Sequence, residues 1–159
     1  MSQLTFRKAC EDDVDLIVTY IKKIAEYEKM SDTVQTNPRD VKKWMFEKNV
    51  TQCDFLVVDE KVVGFVLYFF NYSTFTGKAG LYIEDLFIDP EYRKNGFGKQ
   101  TFIHLAKKAI EEDCGRMEWV CLKWNEPSIA FYKKLGAFTM DEWHTFRLNR
   151  DGIENVANM

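Results

Sequence analysis

The sequence predicts an α/β fold, with a mixed sheet covered by helices on both faces. Three observations predict it. Apolar residues recur at helical spacing in separate stretches, β-rich runs bounded by turn residues stand between them, and the two kinds alternate along the chain. No internal repeat, linker or low-complexity segment interrupts the 159 residues, so one domain spanning 1–159 is expected.

Each element has its own signal. Leu4-Thr5-Phe6-Arg7 is a short opening strand. Glu11, Asp12 and Asp13 suit the first turn of a helix, whose dipole favours negative charge there. Val14, Ile17, Val18, Ile21, Ile24 and Ala25 then form an apolar stripe that lasts to about Glu28. Thr36-Asn37-Pro38 starts a second helix, with Pro at a first helical position ahead of Val41, Trp44 and Met45. Cys53 to Val58 and Val62 to Phe70 read as two strands of a hairpin joined by a tight turn at Asp59-Glu60-Lys61. Asn71 to Gly80 reads as a loop, and Leu81 to Ile88 as a long apolar strand ended by Asp89-Pro90. A helix with Phe102, Leu105, Ala106, Ala109 and Ile110 on one face follows, with a stop expected at Asp113-Cys114-Gly115. Met117 to Trp124 is a strand, Asn125 caps a short helix stopped by Gly136, and Ala137 to Leu148 gives one or two last strands. The tail after about residue 150 is polar.

Composition narrows the function. The net charge is −3 and no stretch is dominated by Lys and Arg, so a nucleic-acid partner is not expected. No apolar run reaches membrane-spanning length and the opening residues have no apolar signal segment, which makes a cytoplasmic setting the expectation. The 4 cysteines form no CxxC pair and the chain has 2 histidines, so no metal site is expected, and the cysteines are expected to be buried free thiols. Trp119, Trp124, Trp143 and the phenylalanines are expected in the core.

The most informative stretch is Asp89-Pro90-Glu91-Tyr92-Arg93-Lys94-Asn95-Gly96-Phe97-Gly98-Lys99. An apolar strand runs into Arg-x-x-Gly-x-Gly and a helix follows at once. Glycines allow close backbone approach, and the unpaired N–H groups of a helix start point toward an anion. With Arg93, Lys94 and Lys99 they would form a pyrophosphate cradle. Two other phosphate motifs fail by spelling. With Gly98-Lys99 in the Gly-Lys place, a P-loop requires Gly at position 93 and Ser or Thr at position 100, which are Arg and Gln. The dinucleotide fingerprint requires a third Gly at position 101, which is Thr, and it belongs after the first strand of its unit rather than in mid-chain.

The glycine turn, joined at this separation to Asn125-Glu126-Pro127-Ser128-Ile129-Ala130-Phe131-Tyr132-Lys133-Lys134-Leu135-Gly136-Ala137, resembles the Gcn5-related N-acetyltransferase family. Within it the chain is most similar to the diamine (spermidine/spermine) and thialysine acetyltransferases, through Leu81 to Phe87, Trp124 to Ser128 and Ala25 to Met30. The resemblance implies a twisted, mostly antiparallel sheet whose central parallel strand pair splays to admit pantetheine. It further implies acetyl-CoA as co-substrate, a small amine as acceptor, and a homodimer. Backbone groups of Leu86, Phe87 and Ile88 would bond the pantetheine. Lys94, Asn95, Gly96, Phe97, Gly98 and Lys99 would hold the pyrophosphate with Arg93 beside them, and Asn125 and Ser128 would touch the cofactor. The spelling Lys94-Asn95 and the loop Ser73 to Gly77 depart from the relatives, which bears on the acceptor rather than on the acyl donor.

Acetyl transfer to an amine sets three requirements. The ammonium, with a pKa near ~10, must lose a proton, negative charge on the carbonyl oxygen must be stabilised, and the departing thiolate must meet a donor. Glu84, a carboxylate within an apolar strand, is the candidate for the first, acting through water. Asp85 would hold the substrate cation, although neighbouring strand residues face opposite ways unless a bulge intervenes. A backbone N–H after Glu84, on Leu86 or Phe87, would serve the second requirement. Tyr132 matches the family's acid and would serve the third. A phenol is a weaker acid than a thiol by ~1.5 pKa units, about 2 kcal/mol, so a strong hydrogen bond describes its part better than full proton transfer. Tyr27, Glu28 and the Asp141-Glu142 pair would line the channel for a cationic amine. Acetylation of a protein lysine or N-terminus, and a non-catalytic acyl-CoA-binding module, are the alternatives. Glu84 and Tyr132 together argue against the module, since binding alone requires neither.

Overall fold

Asp59 and Glu60 both adopt left-handed backbone, with φ of 47° and 65°, the geometry that turns one strand directly into an antiparallel neighbour. In the computed structural model, which describes residues 2–159, this turn joins β2 (Gln52–Val58) to β3 (Lys61–Ser73). Met1 lies outside the described residues. By internal contacts the chain divides into two compact units, Met1–Val120 and Cys121–Met159.

The first unit is built on a 5-stranded sheet in the order β1-β2-β3-β4-β5. β1 (Leu4–Lys8), β2, β3 and β4 (Lys78–Ile88) pair antiparallel in sequence order, while β5 (Arg116–Trp119) lies parallel to β4. The mixed, mostly antiparallel sheet expected from the sequence is therefore present. On one face pack α1 (Val14–Tyr27) and the short α2 (Pro38–Val41), which continues as a π-helical turn through Lys42–Glu47. Ile17, Val18 and Tyr20 of α1 meet Val41, Met45, Phe55, Phe65, Leu67 and Phe87 there. Each such fully buried side chain contributes on the order of 1.5–3 kcal/mol. Strand alternation sends Asp54 to the opposite face, where its Oδ2 bonds His104 Nε2 at 2.8 Å, on α3 (Phe97–Glu111). Lys108 of α3 lies over the Tyr68 ring on the same face.

Local chemistry explains the helix ends. Asp13 accepts from the backbone of Cys10 and from Arg7, fixing the entry to α1. The Asn37 side chain caps α2, with Pro38 at its first turn as expected. The stop of α3 differs from expectation. Asp113, not Gly115, takes the left-handed position (φ 54°), and the Cys114 N–H bonds the Ala109 carbonyl. Gly115 instead donates to Ala79 and leads into β5.

In the second unit Asn125 caps α4 (Glu126–Lys134), and Gly136 ends it at φ 90°, with the Ala137 N–H bonding the Tyr132 carbonyl. The last strands expected between Ala137 and Leu148 are absent from the described residues. Phe146 is 92% exposed and Trp143 71%. The expected polar tail is instead a helix, α5 (Arg150–Ala157), capped by the Asn149 side chain and braced by an Arg150–Glu154 ion pair.

Other boundaries also move. The expected loop from Asn71 to Gly80 contracts to residues 74–77 because β3 and β4 pair as far as Ser73 and Lys78. The strand expected to reach Trp124 ends at Trp119. Ile110 and Trp124 are exposed rather than in the core, and of the cysteines Cys53 is buried while Cys10 is exposed. Among the described residues no helix is long and apolar enough to cross a membrane, and no group of three or more His, Cys, Asp or Glu could hold a metal ion.

Candidate active site

The site begins with a fault in strand pairing. Asp85 pairs with Leu67 and Ile83 with Tyr68, which leaves Glu84 as an extra residue opposite no partner. Such a bulge suspends strict alternation of side chains. Glu84 is exposed and Asp85 half-buried. Burial first, then the negative charges of Glu84 and Glu28, push the Asp85 carboxyl up to about 7. The Glu28 carboxyl is raised as well, by burial and by Glu84. Three carboxylates from two elements, the end of α1 and the bulge of β4, thus share one field. The charge of Glu84 makes Glu28 and Asp85 harder to ionise, and that of Glu28 adds to the effect on Asp85, a cost that a bound cation removes.

The strand beyond the bulge is half paired. The ladder between β4 and β5 ends at Ile83 and Trp119, whereas β4 continues to Ile88 against β3. The Asp89 N–H bonds the Val63 carbonyl, which fixes the parity of the preceding residues. Phe87 turns its backbone groups toward β3, and Leu86 and Ile88 turn theirs toward the edge that β5 no longer covers. Gly64 lets the two strands approach, since a Cβ there would meet the Phe87 carbonyl oxygen at 2.5 Å.

Next comes the glycine turn. Lys94 and Gly96 both have positive φ, 63° and 78°, and the Asn95 side chain donates to the carbonyls of Tyr92 and Arg93. Gly96 is the N-cap of α3 and supplies no side-chain cap, so the first-turn amides from Phe97 onward have no acceptor within the helix. A Cβ at Gly96 would meet nothing within 4 Å. Lys94, Asn95 and Lys99 are exposed around it and Phe97 is buried beneath. Free first-turn amides flanked by lysines are suited to an anion.

The turn is anchored to α1. Asp89 is buried, and its carboxylate accepts from Tyr20 Oη at 2.9 Å and from Lys23 Nζ at 2.8 Å. Arg93 Nε donates to the Ile88 carbonyl at 2.8 Å, and its guanidinium lies 5.2 Å from the Tyr27 ring centroid and 5.1 Å from that of Phe87. Asp89 is not among the residues the sequence points to. Its only signal there is an acid directly before Pro at the end of an apolar strand, which is also an ordinary helix or turn start.

Within the first unit the structure therefore brings together Tyr27, Glu28, Glu84, Asp85, Leu86, Phe87, Ile88 and the turn from Arg93 to Lys99. Asn125, Ser128, Tyr132 and Glu142 belong to the second unit. There the Asn125 side chain accepts from the Ser128 N–H, the Tyr132 ring lies 5.6 Å from that of Phe131, and Glu142 is exposed in a turn.

A strand that loses its parallel partner, followed by a glycine turn at a helix start, is the arrangement that the resemblance to the Gcn5-related N-acetyltransferases implies, and the family comparison agrees. Residues 21–137 match the model of the acetyltransferase (GNAT) family, and the chain belongs to that family. It is an N-acetyltransferase. Over 171 aligned residues it is 33% identical to a thialysine N-epsilon-acetyltransferase of Sus scrofa, covering 99% of both chains. It is 43% identical over 101 residues to an L-ornithine N5-acetyltransferase of Arabidopsis thaliana, covering 64% of this chain and 44% of that one. Among solved structures, an integron cassette protein of V. cholerae superposes with a TM-score of 0.80 at 25% identity, over 98% of both chains. A protein from Clostridium acetobutylicum described as a predicted acetyltransferase, and solved with acetyl-CoA, superposes at 0.75 with 22% identity, over 92% of this chain and 97% of that one.

Proposed function

We propose that this chain transfers an acetyl group directly from acetyl-CoA to the primary amine of a small cationic acceptor, a polyamine, thialysine or a similar molecule. The observation that carries the reading is the bulge at Glu84, which gathers Glu28, Glu84 and Asp85 beside a strand end and a glycine turn suited to an acyl-CoA. The relatives named for thialysine and ornithine support an acceptor with an amine on a flexible chain. A homodimer, and a single catalytic domain over the whole chain, are part of the reading on the family resemblance.

When bound, acetyl-CoA would supply the activated acetyl thioester. The amides and side chains of Lys94, Asn95, Gly96, Phe97, Gly98 and Lys99 would hold its pyrophosphate, with the Arg93 backbone beside them. Leu86 and Ile88, whose backbone faces the unpaired edge, would align the pantetheine, with Phe87 fixing the strand from the β3 side. Asn125 and Ser128 would add contacts from α4. On the acceptor side, Tyr27, Glu28, Asp85 and Glu142 would hold the cation. Glu84, exposed on the bulge, would carry the ammonium proton to water, since an amine with a pKa near ~10 arrives protonated. The Leu86 N–H would donate to the carbonyl oxygen as negative charge develops. Tyr132 Oη would donate a hydrogen bond to the departing sulfur.

The test is release of free CoA thiol from acetyl-CoA across spermidine, spermine, putrescine, thialysine, ornithine, lysine and a lysine-containing peptide. Turnover is expected with one or more of the small amines. Turnover with the peptide alone would refute the small-acceptor reading, and acetyl-CoA binding without turnover on any of them would refute the catalytic one.

A further inference from the structure

The first arginine of the glycine turn does not direct its side chain into the turn. Its Nε–H is spent on the Ile88 carbonyl, and the flat guanidinium is layered between the rings of Tyr27 on α1 and Phe87 on β4. Tyr27 is 39% exposed, and Arg93 lies against its ring. Immediately before the turn, Asp89 binds the same helix through Tyr20 and Lys23. Tyr20, Lys23 and Tyr27 are spaced i, i+3 and i+7, which puts them on one face of α1. That face meets residues 88–93 at two levels, and the Arg93 level lies at Tyr27, in the last turn of the helix.

We propose that the Arg93 side chain is a positioning residue for the amine acceptor: wedged between Tyr27 and Phe87, it holds the end of α1, and with it the acceptor wall, at a fixed distance from the acyl-donor turn. The proposal rests on the acceptor and donor sites assigned above. It divides the work of one motif between backbone and side chain. The backbone from Lys94 to Gly98 forms the anion cradle, while the arginine that opens the motif serves the other substrate. A guanidinium suits this place because it can stack on two rings and donate in its plane at once, and an ammonium cannot.

The test separates the two substrates. Acetyl-CoA affinity is measured by calorimetry, and steady-state kinetics are run with whichever of spermidine and thialysine the unaltered chain turns over faster. For Arg93→Lys we expect the acceptor KM to rise ~10-fold while acetyl-CoA affinity stays within ~3-fold, because the charge is retained and the stack is lost. Arg93→Gln should give the same acceptor defect. Tyr27→Ala should raise the acceptor KM too, and the Arg93→Lys/Tyr27→Ala double variant should be no worse than the poorer single one. Loss of acetyl-CoA affinity in Arg93→Gln that Arg93→Lys restores would overturn the proposal, because the charge would then belong to the pyrophosphate. Unchanged acceptor KM in both variants, or additive effects in the double variant, would overturn it as well. An unaltered chain that binds no acetyl-CoA would instead overturn the underlying site assignment, and the proposal with it.

Discussion

The behaviour of the site is set at the level of single carboxyl groups. Asp85 titrates at about 7, so near neutrality it is half protonated, and an arriving cation meets a site that is only partly charged. As pH rises through about 7 Asp85 ionises and attraction for the acceptor grows, so the acceptor KM should fall across that range. In Asp85→Asn this limb should disappear while the acetyl-CoA KM is unchanged, which initial rates between about pH 6 and 8.5, either side of that titration, would reveal. Glu84 faces solvent, and the proposed reaction gives it a different task. Tyr132→Phe isolates the other end of the reaction: turnover should fall at least ~10-fold with acetyl-CoA affinity retained, and stopped-flow or steady-state rates beside calorimetry check both halves.

At the level of elements, the turn from Arg93 to Lys99 depends on backbone conformation more than on side chains. Gly96 lies at φ 78° with open space around it. In Gly96→Val the Cβ would meet nothing within 4 Å, but the residue would carry left-handed strain of about 1–2 kcal/mol or more, and its side chain would stand in the cradle. The domain should remain folded by circular dichroism, and acetyl-CoA binding should be lost in calorimetry. This turn is legible in the sequence because its determinants are local: a strand, two glycines and a helix start. The hairpin at Asp59-Glu60 and the Asn125 cap are legible for the same reason. The bulge at Glu84 is not, since an extra residue in one strand is a relation to its partner and leaves no mark on the strand alone. Residues 137–149 show the converse. Phe146 and Leu148 alternate with polar neighbours as a strand would, but alternation is only a capacity for pairing, and no ladder is formed there. Arg93 looks like an anion ligand in the sequence because basic residues near a glycine turn invite that reading. Its aromatic neighbours come from α1 and β4, and Tyr27 in particular is distant in sequence.

For the molecule as a whole, two aspartates pull the pH dependence of folding in opposite directions. Asp13 is held down to about 2, chiefly by its hydrogen bond to Arg7. Its contribution is present above the ordinary aspartate range and is lost as pH falls from about 4 toward 2. Asp85 is raised to about 7, so the folded form holds a proton that the unfolded chain gives up from about pH 4. Stability from this group is therefore lost as pH rises from about 4 to about 7, and no further above that. Thermal unfolding of Asp85→Asn should show a gain over the parent that grows between about pH 4 and 7 and then levels off. A gain independent of pH would contradict the assignment. The carboxylate proposed to serve the acceptor thus weakens the fold that carries it.

One feature of the sheet reaches beyond catalysis. Past Ile83 the strand β4 runs on to Ile88 with no neighbour in the ladder on its β5 side among the described residues. Of the groups on that side the Ile88 carbonyl already accepts from Arg93, and the others can pair with an extended segment of a small molecule or of another polypeptide. On the proposed reading the acyl donor would lie along that edge, and in doing so it would also keep the strand from pairing with a stray chain.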